Sequence, residues 1–130
     1  MISKLIAATV LVAASLGTFS ARAATTAPFT EPAFAASQAE GKPILVHVTA
    51  PWCPTCKQQH PILSQLEEGA AYKDLVVYDV DFDSQKDVLR KIKVTMQSTL
   101  IAYHGAKEKA RSTGDTDPAK IATLLAQVNQ

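Results

Sequence analysis

The sequence predicts an α/β protein whose central sheet is covered by helices on both faces. Short apolar runs rich in β-branched residues, each long enough for one strand, alternate along the chain with segments whose apolar residues recur at helical spacing. That alternation is typical of a sheet with helices packed on each side. The chain has 130 residues, of which 47% are hydrophobic, as expected of one folded domain.

Residues 1–23 are predicted to form a secretory signal peptide, and residues 24–130 the folded domain. Lys4 precedes an apolar stretch that ends near Phe19, and small residues follow up to Ala24. A basic start, an apolar middle and a small-residue exit are the features of a cleaved export signal. The stretch is shorter than the roughly 20 apolar residues of a membrane span, so an uncleaved anchor is the competing interpretation. We therefore expect a periplasmic or otherwise exported protein.

The first half of the domain contains two predicted helices around one predicted strand. Residues 25–30 are small and polar and are interpreted as an irregular lead-in. A helix is predicted over 31–40, because its apolar residues have helical spacing and Gly41 follows. The β-branched apolar run 44–48 predicts a buried strand. Residues 56–68 place their apolar side chains on one face, which predicts a second helix.

The second half contains three predicted strands and two predicted helices. Residues 75–82 form an apolar run that ends in alternating aspartates, and residues 87–93 have the spacing of a short helix. Two strands, 99–103 and 107–112, are predicted to form a hairpin around a glycine turn. The last helix, 119–128, follows an aspartate and a proline, which favour the cap and the first turn of a helix.

The only two cysteines lie between the first predicted strand and the second predicted helix, as Cys53 and Cys56 after Trp52. Two thiols at this spacing can bind a metal, form a structural crosslink or pass electrons. Outside the cytosol thiols meet an oxidising environment, which leaves an inert crosslink or a working redox couple. A metal or iron–sulfur site is the alternative; it usually needs four ligands, so His47 or a partner chain would have to contribute.

The residues around these cysteines resemble the thioredoxin family. Trp52-Cys53-Pro54-Thr55-Cys56 stands between a buried strand and a helix, and the similarity extends over about residues 28–128. Further similar segments are 43–46, 61–63, 80–83, 99–101 and the turn at 104–105. The resemblance implies a thioredoxin fold, with a central mixed sheet of four to five strands flanked by helices on both faces. It also implies thiol–disulfide exchange with protein substrates, without a cofactor.

Cys53 is predicted to be the nucleophile, and Cys56 the residue that resolves the mixed disulfide. The thiolate is the attacking species, and at the predicted helix start unpaired N–H groups and the helix dipole favour the charged form of Cys53. We expect this attacking sulfur to be exposed. Cys56 follows one helical turn later, close enough for a disulfide. Because Pro54 and Thr55 add no charge, we expect a couple that reduces or isomerises disulfides rather than a strong oxidant.

Three positions depart from the family pattern. Ser98 stands where family members usually have a cis proline. A trans peptide bond is expected before Ser98, because a cis bond before a residue other than proline costs about 2.5–4 kcal/mol. The backbone of Gln97, Ser98 and Thr99 is predicted to contact an extended substrate. His47 stands where the thioredoxins proper have a buried acid, and Thr49 replaces a second tryptophan.

Several further side chains have both a functional and a structural interpretation. His47 is hypothesised to exchange a proton with Cys56, the alternative being a core histidine bonded to a backbone carbonyl. Trp52 is interpreted as the aromatic edge of the substrate-binding surface, the alternative being a packing residue.

Asp79, Asp81 and Asp83 are expected to be solvated acids at a strand end, the alternative being that one of them faces the cysteines, since Asp79 stands where thioredoxins have a buried lysine. His60 and His104 are expected to be surface residues without a role.

The formal net charge of +1 gives no electrostatic basis for binding nucleic acid. The expected partners are protein thiols and disulfides, with a membrane electron donor for the exported protein. The exported reductants that serve cytochrome c maturation have a similar Trp-Cys-x-x-Cys motif. We expect a monomer, and neither a cofactor nor a bound metal.

Overall fold

The computed structural model describes residues 23–130, so the predicted signal peptide lies, apart from Ala23, outside the described residues. Within 23–130, no helix has the length and the apolar character needed to cross a membrane. This part of the chain forms one five-stranded sheet. The domain boundary predicted at residue 24 stays a prediction.

The elements follow one another as predicted, with one strand added at the start. The strands are β1 (Thr25–Pro28), β2 (Pro43–Thr49), β3 (Val76–Asp81), β4 (Thr99–His104) and β5 (Lys107–Thr113). The helices are α1 (Glu31–Ala39), α2 (Pro54–Glu67), α3 (Lys86–Lys91) and α4 (Pro118–Ala126). Two short 3-10 turns, Ala70–Tyr72 and Gln127–Asn129, follow α2 and α4.

The strands lie in the order β1-β3-β2-β4-β5 and form a mixed sheet. β1 and β2 run parallel to β3, whereas β4 is antiparallel to β2 and β5 is antiparallel to β4. The central strand is β2, which is paired along both edges and leads directly into the cysteine segment. The predicted mixed sheet of four to five strands is confirmed, with five strands.

Each face of the sheet carries its own apolar core. One core packs α1 and α3 against residues such as Val46 and Ile101. The other packs α2 and α4 against the opposite face, with Leu45 and Leu125 among its buried residues. Successive residues of a strand point to opposite faces. His47, two residues after Leu45, therefore lies on the face that α2 covers.

The prediction of an irregular lead-in at 25–30 is wrong for its first four residues. They form β1, which pairs in parallel register with β3 at the edge of the sheet. The segment carries no apolar alternation, so its strand conformation comes from backbone pairing with β3 rather than from its side chains. Pro28 is tolerated because an edge strand leaves one row of N–H groups unpaired. Phe29, directly after the strand, is buried in the core under α1 and α3.

Three helices, α1, α2 and α4, begin with a side chain that caps the N-terminus and a proline in the first turn. The capping atoms belong to Thr30, Cys53 and Asp117. Such caps pair N–H groups that a helix leaves without an internal partner. Asp117 Oδ1 accepts from the backbone N–H of Ala119 at 2.8 Å and of Lys120 at 3.2 Å, and so secures the start of α4.

Replacing Asp117 by alanine is expected to lower the free energy of unfolding by about 1 kcal/mol, because both N–H groups lose their acceptor. Chemical denaturation measures the change. Asp117→Asn is the matched control and should retain most of the stability, since asparagine caps helices about as well as aspartate. Equal losses in both variants would show that the cap is not what Asp117 contributes.

Candidate active site

The cysteine segment lies where the central strand β2 passes into α2. A turn follows Thr49 and is closed by a hydrogen bond from the Cys53 N–H to the Ala50 carbonyl, 3.1 Å long. Pro54 is the first residue of α2, where its missing N–H leaves no hydrogen bond unmade. Cys53 is thereby held at the carboxyl end of a buried strand and at the N-terminus of a helix.

Cys53 and Cys56 form a disulfide, with their Cα atoms 5.3 Å apart. Cys53 Sγ also accepts the backbone N–H of Cys56 at 3.1 Å, and so caps α2. In the reduced protein the same N–H group and the positive end of the helix dipole stabilise a thiolate on Cys53. Cys56 lies one turn further along and does not share that position. The geometry supports Cys53 as the nucleophile and Cys56 as the resolving residue.

Both cysteines are covered in this disulfide form: Cys53 is 0% exposed and Cys56 is 1% exposed. The expectation of an exposed attacking sulfur is therefore wrong for the oxidised protein. Ala50 and Phe82 pack against the pair and provide part of the cover. A dithiol that attacks this disulfide therefore reaches Cys53 Sγ only if this packing opens.

Two large apolar side chains of the described residues are exposed, and both neighbour predicted site residues: Trp52 precedes Cys53, and Met96 precedes the loop at 97–99. Each is 54% exposed. Trp52 Nε1 donates to Asp83 Oδ2 at 2.8 Å, and its ring lies edge-on to another aromatic ring. An exposed aromatic side chain that is already held in place is typical of protein-binding surfaces. The structure therefore supports the substrate-binding interpretation of Trp52.

The loop at 97–99, predicted to bind substrate, leads into β4. No peptide bond within 23–130 is cis, which confirms the trans peptide expected at Ser98. Ser98 has a φ of 58°, in the left-handed region that residues other than glycine rarely adopt. Its N–H donates to the Val48 carbonyl at 2.7 Å, and its carbonyl accepts from the N–H of Gly114 at 3.0 Å and from Gln59 Nε2 at 3.1 Å. The backbone N–H and carbonyl of Ser98 are therefore both bonded within the chain, and these bonds hold the shape of the loop.

The two neighbours of Ser98 differ in their surroundings. Thr99 is buried, and its hydroxyl donates to the Met96 carbonyl at 2.8 Å and lies 3.0 Å from the hydroxyl of Thr113. Gln97 is half-buried. Thr99 therefore shapes the loop, whereas Gln97 is the most accessible of the three. Their contacts with substrate stay predictions.

His47 is almost fully buried, at 1% exposure. Its Nε2 atom lies 3.0 Å from Gln59 Oε1, and its Nδ1 atom lies 3.6 Å from Asp79 Oδ1 on β3. The ring also packs against His60, with 4.9 Å between the ring centroids. Both ring nitrogens therefore face side chains. The alternative interpretation, in which His47 is bonded to a backbone carbonyl, is not what the structure shows. Proton exchange with Cys56 stays a prediction.

A groove of about 560 Å³ opens beside Cys56, and His60 and Asp79 also line it. Burial lowers the pKa of His60; positive charge on His47 lowers it further, and Asp79 opposes both effects. Burial raises the pKa of Glu67; the charge of Asp79 raises it further, and His47 opposes both effects. The groove therefore brings Cys56 close to the titratable side chains of His60 and Asp79.

Two of the side chains expected to be solvated have partners within this site. Asp79 is half-buried and is the direct cross-strand neighbour of His47 in the parallel register of β2 and β3. His60 is exposed but packs on the His47 ring. Asp81 and Asp83 are exposed, as expected, although Asp83 accepts the hydrogen bond from Trp52. The expectation failed for Asp79 because the neighbouring strand supplies its contact.

Gln59 is the buried site residue that sequence reasoning missed. It lies on α2 between Cys56 and Leu63, and these three are the buried residues of that helix. Spacings of three and four residues place them on one face. The signal in the sequence was a polar residue on the helix face that carries Cys56 and Leu63. A polar side chain buried on such a face needs hydrogen-bond partners, which indicates a structured polar contact beside the cysteines.

The metal or iron–sulfur alternative gains no support from the described residues. Nowhere in 23–130 are three His, Cys, Asp or Glu side chains grouped so that they could hold a metal ion. The two cysteines are bonded to each other, and His47 Nε2 is bonded to Gln59.

Sequence comparisons identify relatives along most of the chain. The thioredoxin family model matches residues 25–127. Thioredoxin-2 of Saccharomyces cerevisiae is 36% identical over 85 residues, which are 65% of this chain and 79% of that protein. Thioredoxin of Mycobacterium tuberculosis is 31% identical over 87 residues, which are 67% of this chain and 74% of that protein.

Solved structures agree with the sequence comparisons. Trxlp from Edwardsiella tarda EIB202 superposes with a TM-score of 0.76 and 42% identity, covering 78% of this chain and 98% of that one. Oxidised thioredoxin O1 from Arabidopsis thaliana superposes with a TM-score of 0.68 and 25% identity, covering 83% and 99%. The resemblance found in the sequence is thereby confirmed, and the chain belongs to the thioredoxin family as a thiol–disulfide oxidoreductase.

Proposed function

We propose that this chain is an exported oxidoreductase that reduces or isomerises disulfides of protein substrates through Cys53 and Cys56. The observation that carries the proposal is the position of Cys53 Sγ at the N-terminus of α2, where it accepts a backbone N–H. That contact favours the thiolate, which is the form of cysteine that attacks disulfides.

The reaction follows from the two positions. The Cys53 thiolate attacks one sulfur of a substrate disulfide and forms a mixed disulfide, and the other substrate sulfur leaves as a thiolate. Cys56 then loses its proton and attacks Cys53 Sγ, which releases the second substrate thiolate. Two electrons pass to the substrate, and the chain is left with its disulfide. A donor dithiol reverses both steps, and for an exported protein we propose a membrane protein as that donor.

The charge around Cys53 supports the reducing direction. A couple becomes more oxidising as its thiolate is stabilised more strongly. The two residues between the cysteines, Pro54 and Thr55, add no charge to the contribution of the helix N-terminus. We therefore propose a reducing or isomerising couple rather than a strong oxidant.

The exposed side chains of Trp52 and Met96 are the proposed docking surface for the substrate. Both lie in the same chain as the two cysteines, so one copy of the protein contains every group that the exchange reaction uses. We therefore propose that the protein acts as a monomer.

Export is supported by the position of the family match. The match begins at residue 25, directly after the residues that have the features of a signal peptide. Those residues are accordingly an addition to the oxidoreductase domain, with the composition that export requires.

Cys53→Ser is expected to abolish reduction of insulin disulfides, because a serine hydroxyl does not attack disulfides at neutral pH. Cys56→Ser should instead accumulate a mixed disulfide, since the first attack proceeds and nothing resolves it. Insulin turbidity reports the first variant, and mass spectrometry without reductant reports the second. A wild-type protein without activity, as an inert crosslink would give, contradicts the proposal, as does full activity in Cys53→Ser.

Trp52→Ala is expected to lower kcat/KM for a protein disulfide about tenfold, mainly by raising KM, because the substrate loses an aromatic anchor. Steady-state kinetics provides the measurement. Asp83→Asn is the matched control: it keeps an acceptor oxygen for the indole N–H and should retain most of the activity. Unchanged KM in Trp52→Ala would show that the indole is not part of the docking surface.

When all 130 residues are expressed in a host with a periplasm, the protein recovered from the periplasmic fraction should lack residues 1–23. The reason is that a signal peptidase cleaves after small residues. Intact-mass spectrometry of that fraction gives the new N-terminus. Leu11→Arg interrupts the apolar stretch and should retain the uncleaved chain inside the cell. A full-length wild-type chain in the membrane fraction would support the uncleaved anchor instead.

A further inference from the structure

Gln59 is a buried polar residue of α2 that the exchange reaction does not use. Its side chain is 0% exposed. Nε2 donates to the carbonyl of Ser98 at 3.1 Å and to the carbonyl of Asp115 at 2.9 Å, and Oε1 lies 3.0 Å from His47 Nε2. Both hydrogens of the amide and its oxygen therefore have partners, in three separate parts of the chain. A buried polar group with all of its partners in place makes its surroundings rigid and specific.

The two carbonyls determine the orientation of this amide, and thereby where His47 carries its hydrogen. The carbonyl oxygens of Ser98 and Asp115 only accept, so the group that faces them must be the amino group of Gln59. The amide oxygen, which also only accepts, then faces His47 Nε2. His47 Nε2 must therefore carry a hydrogen, and the neutral ring presents a bare Nδ1 on its other side.

That Nδ1 atom lies 3.6 Å from Asp79 Oδ1. That distance is too long for a hydrogen bond, so the orientation of the Gln59 amide, rather than Asp79, decides which nitrogen of His47 carries the hydrogen. Asp79 is the more accessible of the two, and it lines the groove beside Cys56. The other titratable or charged groups around the pair are His60, Glu67 and Lys57 of α2 and Asp81 of β3.

The other end of the Gln59 amide holds the loop before β4. Ser98 has a left-handed φ of 58°, a conformation that persists only where the surroundings stabilise it. The carbonyl of Ser98 accepts hydrogen bonds from Gln59 Nε2 and from the N–H of Gly114. The N–H of Ser98 donates to the carbonyl of Val48. Through Asp115, Gln59 also ties the chain after β5 to the helix that carries the cysteines.

We propose that Gln59 is a positioning residue that sets two parts of the site at once: the shape of the loop at Ser98 and the nitrogen of His47 that carries the hydrogen. The proposal deepens the oxidoreductase function proposed above and rests on it. Without Gln59, the loop loses a side-chain tie to α2, and His47 is free to carry its hydrogen on either nitrogen.

The first test needs no variant. Nitrogen-15 NMR of the imidazole of His47 in the oxidised wild-type protein should show that the neutral ring carries its hydrogen on Nε2. A neutral ring with its hydrogen on Nδ1 overturns the proposal. This outcome does not depend on activity: if the wild type fails to reduce insulin, the proposed function fails, and the NMR result still decides the role of Gln59.

Two variants separate the two tasks of Gln59. Gln59→Glu keeps an oxygen toward His47 but cannot donate to both carbonyls, so KM for a protein disulfide should rise about tenfold while the Nε2–H signal persists. Gln59→Met has a similar length and no hydrogen bonds, so KM should rise and the preference for Nε2–H should disappear. Gln58→Met, at the exposed neighbouring position, is the matched control and should leave both unchanged. Wild-type KM and a wild-type spectrum in both Gln59 variants overturn the proposal.

Discussion

The hydrogen bond from the Cys56 N–H to Cys53 Sγ is the contact on which the chemistry of this protein depends. It exists because β2 ends at Thr49, a tight turn follows, and Pro54 begins α2 without the loss of a hydrogen bond. The strand is paired on both edges, so the starting point of the helix is set by the centre of the sheet. A sulfur placed there is stabilised as a thiolate before any substrate arrives.

The two faces of the sheet have different tasks. The core under α1 and α3 is apolar and includes a cluster of aromatic rings formed by Phe29, Phe34, Tyr78 and Tyr103. The face under α2 is apolar near Leu63 but becomes polar toward the cysteines, where His47 and Gln59 are buried. Burying polar groups is costly unless they are bonded. Here His47 and Gln59 are bonded to each other, and Gln59 is also bonded to Ser98. These buried polar side chains therefore connect to the loop that is predicted to contact the substrate.

Most elements were predictable because each has a local pattern of its own. Helical spacing indicated α1, α2, α3 and α4, apolar runs indicated β2, β3 and β4, and the glycine turn after β4 indicated β5. The edge strand β1 has no such pattern, since backbone pairing with β3 provides its stability. The burial of Cys53 was likewise unpredictable, because Phe82, which packs against it, comes from the end of another strand. Local patterns do not specify which distant side chain covers a sulfur.

The sequence by itself determined the order of the elements after β1, the family, the pair of cysteines and the place of the first one at the start of a helix. Each of these depends on residues close together in the chain. Only the tertiary structure decided that His47 meets Asp79 and that Gln59 holds both His47 and Ser98. Those contacts join residues of different strands, loops and helices. Strand register and helix packing create them, and neither can be read from the spacing of residues along one segment.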